Sequence, residues 1–229
     1  MSNQTQHFDL VIVGAGLVGA SLACAIAQQE NAQSLRIALI EAGSDVQHFS
    51  GENFDPRVVA LTQASQELLT SIGVWDEIAQ ERICAYRDMH VWDGEGTAEI
   101  HFNCAEVRAR QLGHIVENSV ILASLQNKIT QHTNITLIQP ARIVTLNNGS
   151  GVEVELDTGE ILSARLLIAA DGAQSKVREL AEFETREWDY GHKAIVTTVQ
   201  TELPNQATAW QRFVRTGPLA FLPLSTINE

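Results

Sequence analysis

Two short apolar runs lie near the start of the chain, at Leu10–Val13 and Ile37–Ile40. Each has the length of a buried strand, and glycine follows the first run directly. Between the two runs, from Leu17 to Gln29, apolar residues recur at the intervals of a helix. This pattern predicts a βαβ unit at the start of the chain, with both of its strands buried.

The rest of the chain alternates between loop, helix and strand patterns. Turn-forming residues predict a loop over 43–56. Helical spacing predicts two helices, one that follows Arg57 and stops at Gly73 and one within 112–130. Alternation of apolar and polar residues predicts a hairpin, then a β-meander, then a second layer of antiparallel strands. In that order, the runs are 89–103, 141–146, 152–156, 161–170, 192–201, 208–215 and 219–224.

Three glycines follow the first strand in the G-x-G-x-x-G spacing, at Gly14, Gly16 and Gly19. In such a motif the first glycine permits a tight turn, the second lets the backbone approach a pyrophosphate, and the third lets the helix lie close to the strand. The helix start offers free N–H groups to the phosphates. Glu41 lies 22 positions after Gly19, where a carboxylate binds ribose hydroxyls and repels a 2′-phosphate. The unit predicts FAD or NAD rather than NADP, and a tight turn without a ligand is the less favoured alternative.

Composition and charge exclude several classes of protein. With 229 residues, 45% of them apolar, the chain has the composition of an ordinary globular protein. A formal charge of −13 argues against nucleic acid as a partner. Three cysteines without a C-x-x-C pair, and an N-terminus without a signal sequence, favour a cytoplasmic location, while peripheral contact with the inner membrane stays open. The seven histidines lack the spacing of metal ligands, so we expect no metal site.

Two further polar residues stand where a ligand would be bound. Arg57 precedes a predicted helix, and its planar guanidinium suits phosphate or flavin oxygens, although an exposed loop arginine explains it equally well. Asp171 and Gly172 end a predicted strand, a position at which a carboxylate meets ligands of an α/β sheet. The alternative at that position is an Asp–Gly turn in which Ser175 caps a short helix.

Three landmarks in this order resemble the FAD-dependent aromatic hydroxylases of the para-hydroxybenzoate hydroxylase type: the glycine motif with Glu41, Arg57 before a helix, and Ala170–Ser175. Longer stretches are similar to the bacterial ubiquinone-biosynthesis hydroxylases, in particular the subgroup that acts at ring carbon 5 of the polyprenyl phenol. Those stretches are LTQASQELLTSIGVWDEI, LGHIVENSVI, LLIAADGAQSKVR and GPLAFLPLS. The resemblance runs through essentially the whole chain.

The resemblance assigns the first landmark to the adenosine and pyrophosphate part of FAD. It implies that Gly14, Gly16 and Gly19 form the turn at the pyrophosphate and that Glu41 accepts hydrogen bonds from the ribose.

The resemblance assigns the later landmarks to the flavin side. It implies that Arg57 approaches the FAD pyrophosphate and flavin. Asp171 and Gly172 take the place of the family's Asp-Gly motif, which is implicated in contact with both FAD and NAD(P)H. His114 occupies roughly the place where relatives have a glutamine that contacts the flavin.

The resemblance also implies an α/β fold with two parts. A Rossmann-like FAD-binding domain, a βαβ unit with a β-meander, would comprise residues 1–83 and 105–182. A substrate domain with an antiparallel β-sheet, incomplete in this chain, would comprise residues 84–104 and 183–229.

The implied activity is hydroxylation of the aromatic ring of a polyprenylated phenol or quinone precursor in ubiquinone biosynthesis. NAD(P)H would reduce FAD, O₂ would add to the reduced flavin at C4a, and the resulting hydroperoxide would deliver one oxygen atom to the ring. The cofactor supplies this chemistry and the protein positions it, so the sequence is not expected to carry an acid–base pair.

Relatives of this type carry a Gly-Asp motif in their later half, and no Gly-Asp dipeptide occurs in this chain. The resemblance therefore predicts that these residues are the N-terminal portion of a longer enzyme. Three alternatives stay open. They are a different FAD or NAD oxidoreductase with the same βαβ unit, an inactive fragment that acts as a folding or binding module in a ubiquinone-biosynthesis assembly, and a redox sensor that holds flavin.

Overall fold

A computed structural model describes residues 5–44, 48–50 and 53–224 of the chain. The strands in chain order are β1 (Gln6–His7), β2 (Leu10–Val13), β3 (Ile37–Ile40), β4 (Val58–Thr62), β5 (Ile83–Tyr86), β6 (Asp88–Asp93), β7 (Glu99–Asn103), β8 (Gly113–Glu117), β9 (Ile135–Ile138), β10 (Ile143–Asn148), β11 (Val152–Leu156), β12 (Ile161–Ala164), β13 (Leu166–Ala169), β14 (Thr208–Val214) and β15 (Gly217–Phe221). The helices are α1 (Leu17–Ala27), α2 (Gln63–Ser71), α3 (Trp75–Ile78), α4 (Asn118–Gln131) and α5 (Lys176–Leu180), with short 3₁₀ turns at Glu30–Ala32 and Cys104–Val107.

The chain divides into two compact units, each built from two separate segments. The first unit comprises Met1–Gln47 and Leu122–Ala194, and the second comprises His48–Ile121 and Ile195–Glu229. The predicted FAD-binding and substrate domains are likewise discontinuous, and their bounds stay a prediction.

A parallel four-stranded sheet, in the order β13-β2-β3-β9, lies at the centre of the first unit. Strands β2 and β3 pair in register, with Val13 opposite Ile40, and α1 connects them. All four residues of β3 are buried, as expected of a strand inside a parallel sheet that is covered on both faces. The predicted βαβ unit is confirmed, and its two strands begin and end at the predicted residues.

The predicted β-meander forms a second sheet of the first unit, in the order β1-β12-β11-β10. One hydrophobic core joins it to the parallel sheet. Its buried members from the two sheets include Val11, Val13, Ala38 and Ile40 on one side and Val154, Leu156, Leu162 and Ala164 on the other. The run predicted as a single strand over 161–170 divides between the sheets, because β12 pairs with β11 while β13 pairs with β2.

The second unit contains an antiparallel sheet and a mixed sheet. The antiparallel sheet has the order β4-β8-β5, and the mixed sheet has the order β15-β14-β6-β7. The hairpin predicted over 89–103 is confirmed as β6 and β7. The second sheet is not purely antiparallel as predicted, because β6 and β14 are parallel neighbours. Parallel neighbours need a long crossover, and the chain between these two strands supplies it.

Two predicted helices begin later than expected, and a strand precedes each of them. Residues 58–62 form β4 rather than the start of a helix, and α2 begins only after Thr62, whose side chain accepts a hydrogen bond from the Ser65 N–H at 3.3 Å. Within 112–130, the first apolar residues form β8, and α4 follows it directly. A continuous apolar run does not distinguish a buried strand from a helix, and here the strand packs between β4 and β5.

The remaining differences between the prediction and the structure are two strands that were missed and one predicted strand that does not form. Strands β5 and β9 were not predicted, and neither is buried along its whole length as β3 is. The strand predicted over 192–201 is wrong: within the described residues this stretch has no regular structure, and Ile195 is 92% exposed. The loop prediction for 43–56 holds where it can be compared, while residues 45–47 and 51–52 lie outside the described ranges.

None of the helices in residues 5–44, 48–50 and 53–224 combines the length and the apolar content that a membrane crossing requires.

Candidate dinucleotide-binding site

Packing within the protein requires glycine at two positions, Gly14 in the turn between β2 and α1 and Gly19 in the first turn of α1. Gly14 has a φ of +99°, and a Cβ atom there would lie 2.4 Å from the carbonyl oxygen of Ala170. A Cβ atom on Gly19 would lie 1.8 Å from the carbonyl oxygen of Gly14. Because glycine has no side chain, the helix and the end of the neighbouring strand can approach the turn closely, as the motif predicts.

Gly16 differs from the other two glycines, because nothing inside the protein requires it. Its φ of −67° and ψ of −173° are extended backbone that any residue adopts. A Cβ atom there would meet no described atom within 4 Å. Glycine at this position therefore keeps a surface open at the N-terminus of α1. No side chain among the described residues caps that helix start, so its N–H groups are free to bind an anion.

Glu41 lies beside the glycine turn, as the sequence predicts. Its carboxylate accepts one hydrogen bond from the N–H of Ala15 and another from the N–H of Gly43, both at 2.7 Å. The register of β2 and β3 causes this proximity, because it brings the ends of the two strands to the same edge of the sheet. The contact of Glu41 with a ribose stays a prediction.

Asp171 also lies at this edge of the parallel sheet, but both of its oxygens are bound within its own loop. One accepts a hydrogen bond from the Ser175 hydroxyl at 2.6 Å, and the other from the N–H of Val177 at 3.1 Å. The Ser175 oxygen accepts from the N–H of Arg178 at 3.0 Å and caps α5. This geometry favours the Asp–Gly turn with a serine cap.

Gly172, next to Asp171, adopts a φ of +81°, and a Cβ atom there would meet no described atom within 4 Å. The contact of Asp171 and Gly172 with a ligand stays a prediction.

Arg57 belongs to the second unit and precedes a strand rather than the predicted helix. Its side chain is exposed, and its guanidinium makes no hydrogen bond or ion pair with the residues that the structure describes. The side chain is therefore available to a ligand, and its contact with FAD stays a prediction.

His114 is a core residue of the second unit. It lies in the central strand β8, is only 7% exposed, and its ring centroid is 5.0 Å from that of Trp75. Its Nδ1 atom is closed off from solvent and has no hydrogen-bond partner among the described residues. Burial lowers the pKa of this imidazole below its ordinary value, so the neutral form is favoured. This packing supports a structural role, and the predicted flavin contact stays a prediction.

A buried network of charged residues in the second unit was not predicted from the sequence. Glu117 is 1% exposed and lies 3.0 Å from the guanidinium of Arg82, and its carboxylate also accepts a hydrogen bond from the N–H of Asp55 at 2.6 Å. Burial raises the pKa of Glu117, while that hydrogen bond and Arg82 oppose the shift. The sequence carried one signal of this network: Glu117 is a charged residue at the end of an apolar run. A charged residue is rarely buried without a partner, so its position there indicated one.

The edge formed by β13, β2 and β3 defines a dinucleotide-binding α/β unit. It combines a glycine turn, a free helix N-terminus and an acid at the end of the second strand. The chain belongs to the FAD binding domain family, whose sequence profile matches residues 7–224. FAD is the cofactor that this family binds.

The chain is similar to several ubiquinone-biosynthesis enzymes. It is 37% identical to the mitochondrial ubiquinone biosynthesis monooxygenase COQ6 of Xenopus tropicalis, over 95% of this chain and 49% of that protein. It is 36% identical to the 3-demethoxyubiquinol 3-hydroxylase of Escherichia coli, over 98% of this chain and 56% of that protein. It is 35% identical to ubiquinone hydroxylase UbiL of Rhodospirillum rubrum, over 94% of this chain and 49% of that protein. The chain spans about half the length of these relatives.

Solved structures of flavin enzymes share the fold. PqsL of Pseudomonas aeruginosa, solved in complex with 2-aminobenzoylacetate, superposes with a TM-score of 0.67 at 22% identity, over 81% of this chain and 48% of that one. The flavin-dependent monooxygenase PieE, solved with FAD and substrate, gives a TM-score of 0.62 at 18% identity, over 77% and 32%.

The close approach at Gly19 predicts an unusual sign for a helix substitution. Replacing a helical glycine by alanine normally stabilises a protein by about 0.5–1 kcal/mol. We expect Gly19→Ala to lower the free energy of unfolding by about 1–3 kcal/mol, because its Cβ would overlap the Gly14 carbonyl. Urea unfolding measures this change. Gly149→Ala is the control, since a Cβ there meets no described atom within 4 Å, and a stabilised Gly19→Ala variant would contradict the packing at the turn.

The buried His114 predicts a loss of stability in mild acid. Its folded-state pKa is lowered from 6.5, so below about pH 6.5 the unfolded chain binds a proton that the folded chain does not. The free energy of unfolding should therefore fall as the pH falls through this range. In His114→Gln this contribution is absent, whereas that of His132, whose pKa is also lowered by burial, remains. Urea unfolding at about pH 7.5 and about pH 5.5 should show a smaller loss in the variant, and equal losses would contradict the assignment.

Proposed function

We propose that this chain is the FAD-binding part of a flavin-dependent monooxygenase. The enzyme hydroxylates the aromatic ring of a polyprenylated phenol in ubiquinone biosynthesis, with NAD(P)H as the reductant and O₂ as the oxidant. The reactions for which the ubiquinone-biosynthesis relatives are named support the reaction and the substrate class.

The observation that carries the proposal is the open surface at Gly16. Among the described residues, neither backbone conformation nor packing explains a glycine there, whereas both explain Gly14 and packing explains Gly19. A ligand that lies against the backbone does explain it. The free N–H groups at the start of an 11-residue helix favour binding of an anion, and the pyrophosphate of a dinucleotide is such an anion. The site therefore fits FAD.

The residues at this edge bind and orient the cofactor, and FAD supplies the redox and oxygen chemistry when it is bound. The free N–H groups at the start of α1 would hold the pyrophosphate. Glu41 would hold the ribose hydroxyls with whichever carboxylate lone pairs its two backbone contacts leave free. Arg57 would contribute positive charge near the phosphates. Asp171 acts on the ligand through the loop that it organises, because both of its oxygens are already bound there.

A polyprenylated substrate requires apolar protein surface. The mixed sheet of the second unit exposes large apolar side chains, among them Ile100, Phe102, Leu219 and Phe221. We include in the proposal that these strands contact the prenyl chain or a membrane surface, and that the protein works within a ubiquinone-biosynthesis assembly.

Retention of flavin by this chain, compared with its Gly16→Val variant, tests the cofactor assignment. We expect the chain purified with excess FAD to show bound-flavin absorbance, and Gly16→Val to be colourless while its urea unfolding midpoint stays close to that of the parent. The valine side chain would occupy the space of the pyrophosphate without disturbing the fold.

Gly149→Val is the matched control, because that glycine also lacks a left-handed φ and also faces open space. Equal flavin content in all three proteins would contradict the placement of the pyrophosphate. A colourless parent chain would favour the binding module. With the full-length protein, NAD(P)H oxidation that does not depend on a phenol would favour the redox sensor.

Glu41→Ala should weaken FAD binding, because it removes charge-assisted hydrogen bonds to the ribose. We expect a loss of about 1.5–3 kcal/mol, which corresponds to a dissociation constant roughly 10 to 150 times higher. Titration of the apoprotein with FAD, followed by flavin fluorescence, measures it. Glu153→Ala, which removes an exposed carboxylate from β11, should leave the dissociation constant unchanged. An unaltered affinity in Glu41→Ala would remove this residue from the site.

A further inference from the structure

The backbone of Arg57 is held on both sides although its side chain is exposed. Its N–H donates to one carboxylate oxygen of Asp55 at 2.9 Å, and its carbonyl oxygen accepts from the N–H of Asn118 at 2.9 Å. The other oxygen of Asp55 accepts from the N–H of Ser119 at 3.0 Å. Asp55 therefore ties the residue before β4 to the first turn of α4, and the Cα atom of Arg57 has a fixed position within the second unit.

Asp55 is itself held by the ion pair between Arg82 and Glu117. The N–H of Asp55 donates to Glu117 at 2.6 Å, and Arg82 lies 3.0 Å from the same carboxylate. The Arg82 guanidinium also donates to the carbonyl oxygen of Asn53 at 3.0 Å and lies over the ring of Phe54, 4.3 Å from its centroid. Three consecutive residues, 53–55, thus contact one buried pair, whereas loop segments of this kind are usually mobile.

Stability alone does not explain this network. Asp55, Arg82 and Glu117 are 2%, 7% and 1% exposed, so two carboxylates and one guanidinium have been removed from water. Well-packed apolar residues would stabilise the fold as well or better, because the desolvation of buried charges offsets much of their attraction. A network of this kind does hold the segment 53–55 in one backbone conformation. The exposed Arg57 is connected to it through the hydrogen bond from its N–H to Asp55. A fixed backbone matters for an exposed arginine only if its guanidinium must meet a partner at a set position.

We propose that Asp55 is a positioning residue for Arg57, and that the Arg82–Glu117 pair holds Asp55 so that the Arg57 guanidinium meets the phosphates or flavin of bound FAD. The proposal rests on the proposed function, because FAD is the partner that Arg57 needs.

A double-mutant cycle on FAD affinity tests this dependence. Asp55→Asn keeps the size of the side chain but replaces one of its two acceptor oxygens with an NH₂ group, which cannot accept a hydrogen bond. Only one of the N–H groups of Arg57 and Ser119 can then keep its acceptor. In the parent chain we expect Arg57→Ala to raise the dissociation constant of FAD about tenfold or more, and Asp55→Asn to raise it about fivefold. In the Arg57→Ala background, Asp55→Asn should change it by less than about twofold, because the residue through which Asp55 acts is gone.

Asp88→Asn is the matched control. Asp88 accepts a hydrogen bond from the Asn103 side chain at 2.7 Å in the same unit, and its substitution should show no coupling to Arg57. If Asp55→Asn does not fold, Arg82→Lys replaces it in the cycle, because lysine keeps the charge but lacks the planar guanidinium that lies over the Phe54 ring. We expect coupling of the same sign and smaller size.

The outcomes separate this proposal from the proposed function. A parent chain that does not bind FAD overturns both. A parent chain that binds FAD, with Arg57→Ala equal to it in affinity, overturns the positioning role alone. Equal effects of Asp55→Asn in both backgrounds overturn it as well, because a purely structural loss would not depend on the Arg57 side chain.

Discussion

The approach of three backbone segments at one edge of the parallel sheet is the constraint on which the candidate site depends. The carbonyl oxygen of Ala170 lies where a side chain on Gly14 would have to be, and the carbonyl oxygen of Gly14 lies where a side chain on Gly19 would be. Strands β13, β2 and β3 end in register at this edge, and the glycines at positions 14 and 19 let the backbone segments approach each other. The start of α1 can therefore present its N–H groups to a phosphate, and the glycine at position 16 leaves the way to them open.

The two units solve the problem of holding a ligand-facing group in different ways. In the first unit the candidate groups are backbone N–H groups, which the sheet and helix fix directly. In the second unit the candidate group is the long side chain of Arg57, whose own rotamers are free. The structure fixes its backbone through Asp55 and Asn118 instead, which reduces the conformations that binding would have to restrict.

The sequence predicted most of the first unit and less of the second, and the reason is physical. Strands β2 and β3 are short apolar runs with clear breaks, so their bounds could be read directly. Strand β8 is buried along its whole length and passes into α4 without a break, so its apolar residues merged with those of the helix. The network around Glu117 depends on partners 35 and 62 positions away, which only the register of β4, β8 and β5 brings together. The motif glycines and Glu41 could be singled out because their spacing within one βαβ unit marks them. The loop contacts of Asp171 favour the Asp–Gly turn with the Ser175 cap, which was one of two interpretations of the sequence. The contacts of all these residues with FAD stay predictions.

The pairing of Arg82 with Glu117 restricts how this protein can evolve. Loss of either partner leaves a charge buried without its counterion, which typically costs about 3–5 kcal/mol. Natural domains have a total stability of only about 5–15 kcal/mol, so such an intermediate would lose a large share of its stability. The two positions are therefore expected to be inherited as a pair. In a family tree they would change together or not at all, even where the surrounding apolar residues of β8 exchange freely among Val, Ile and Leu.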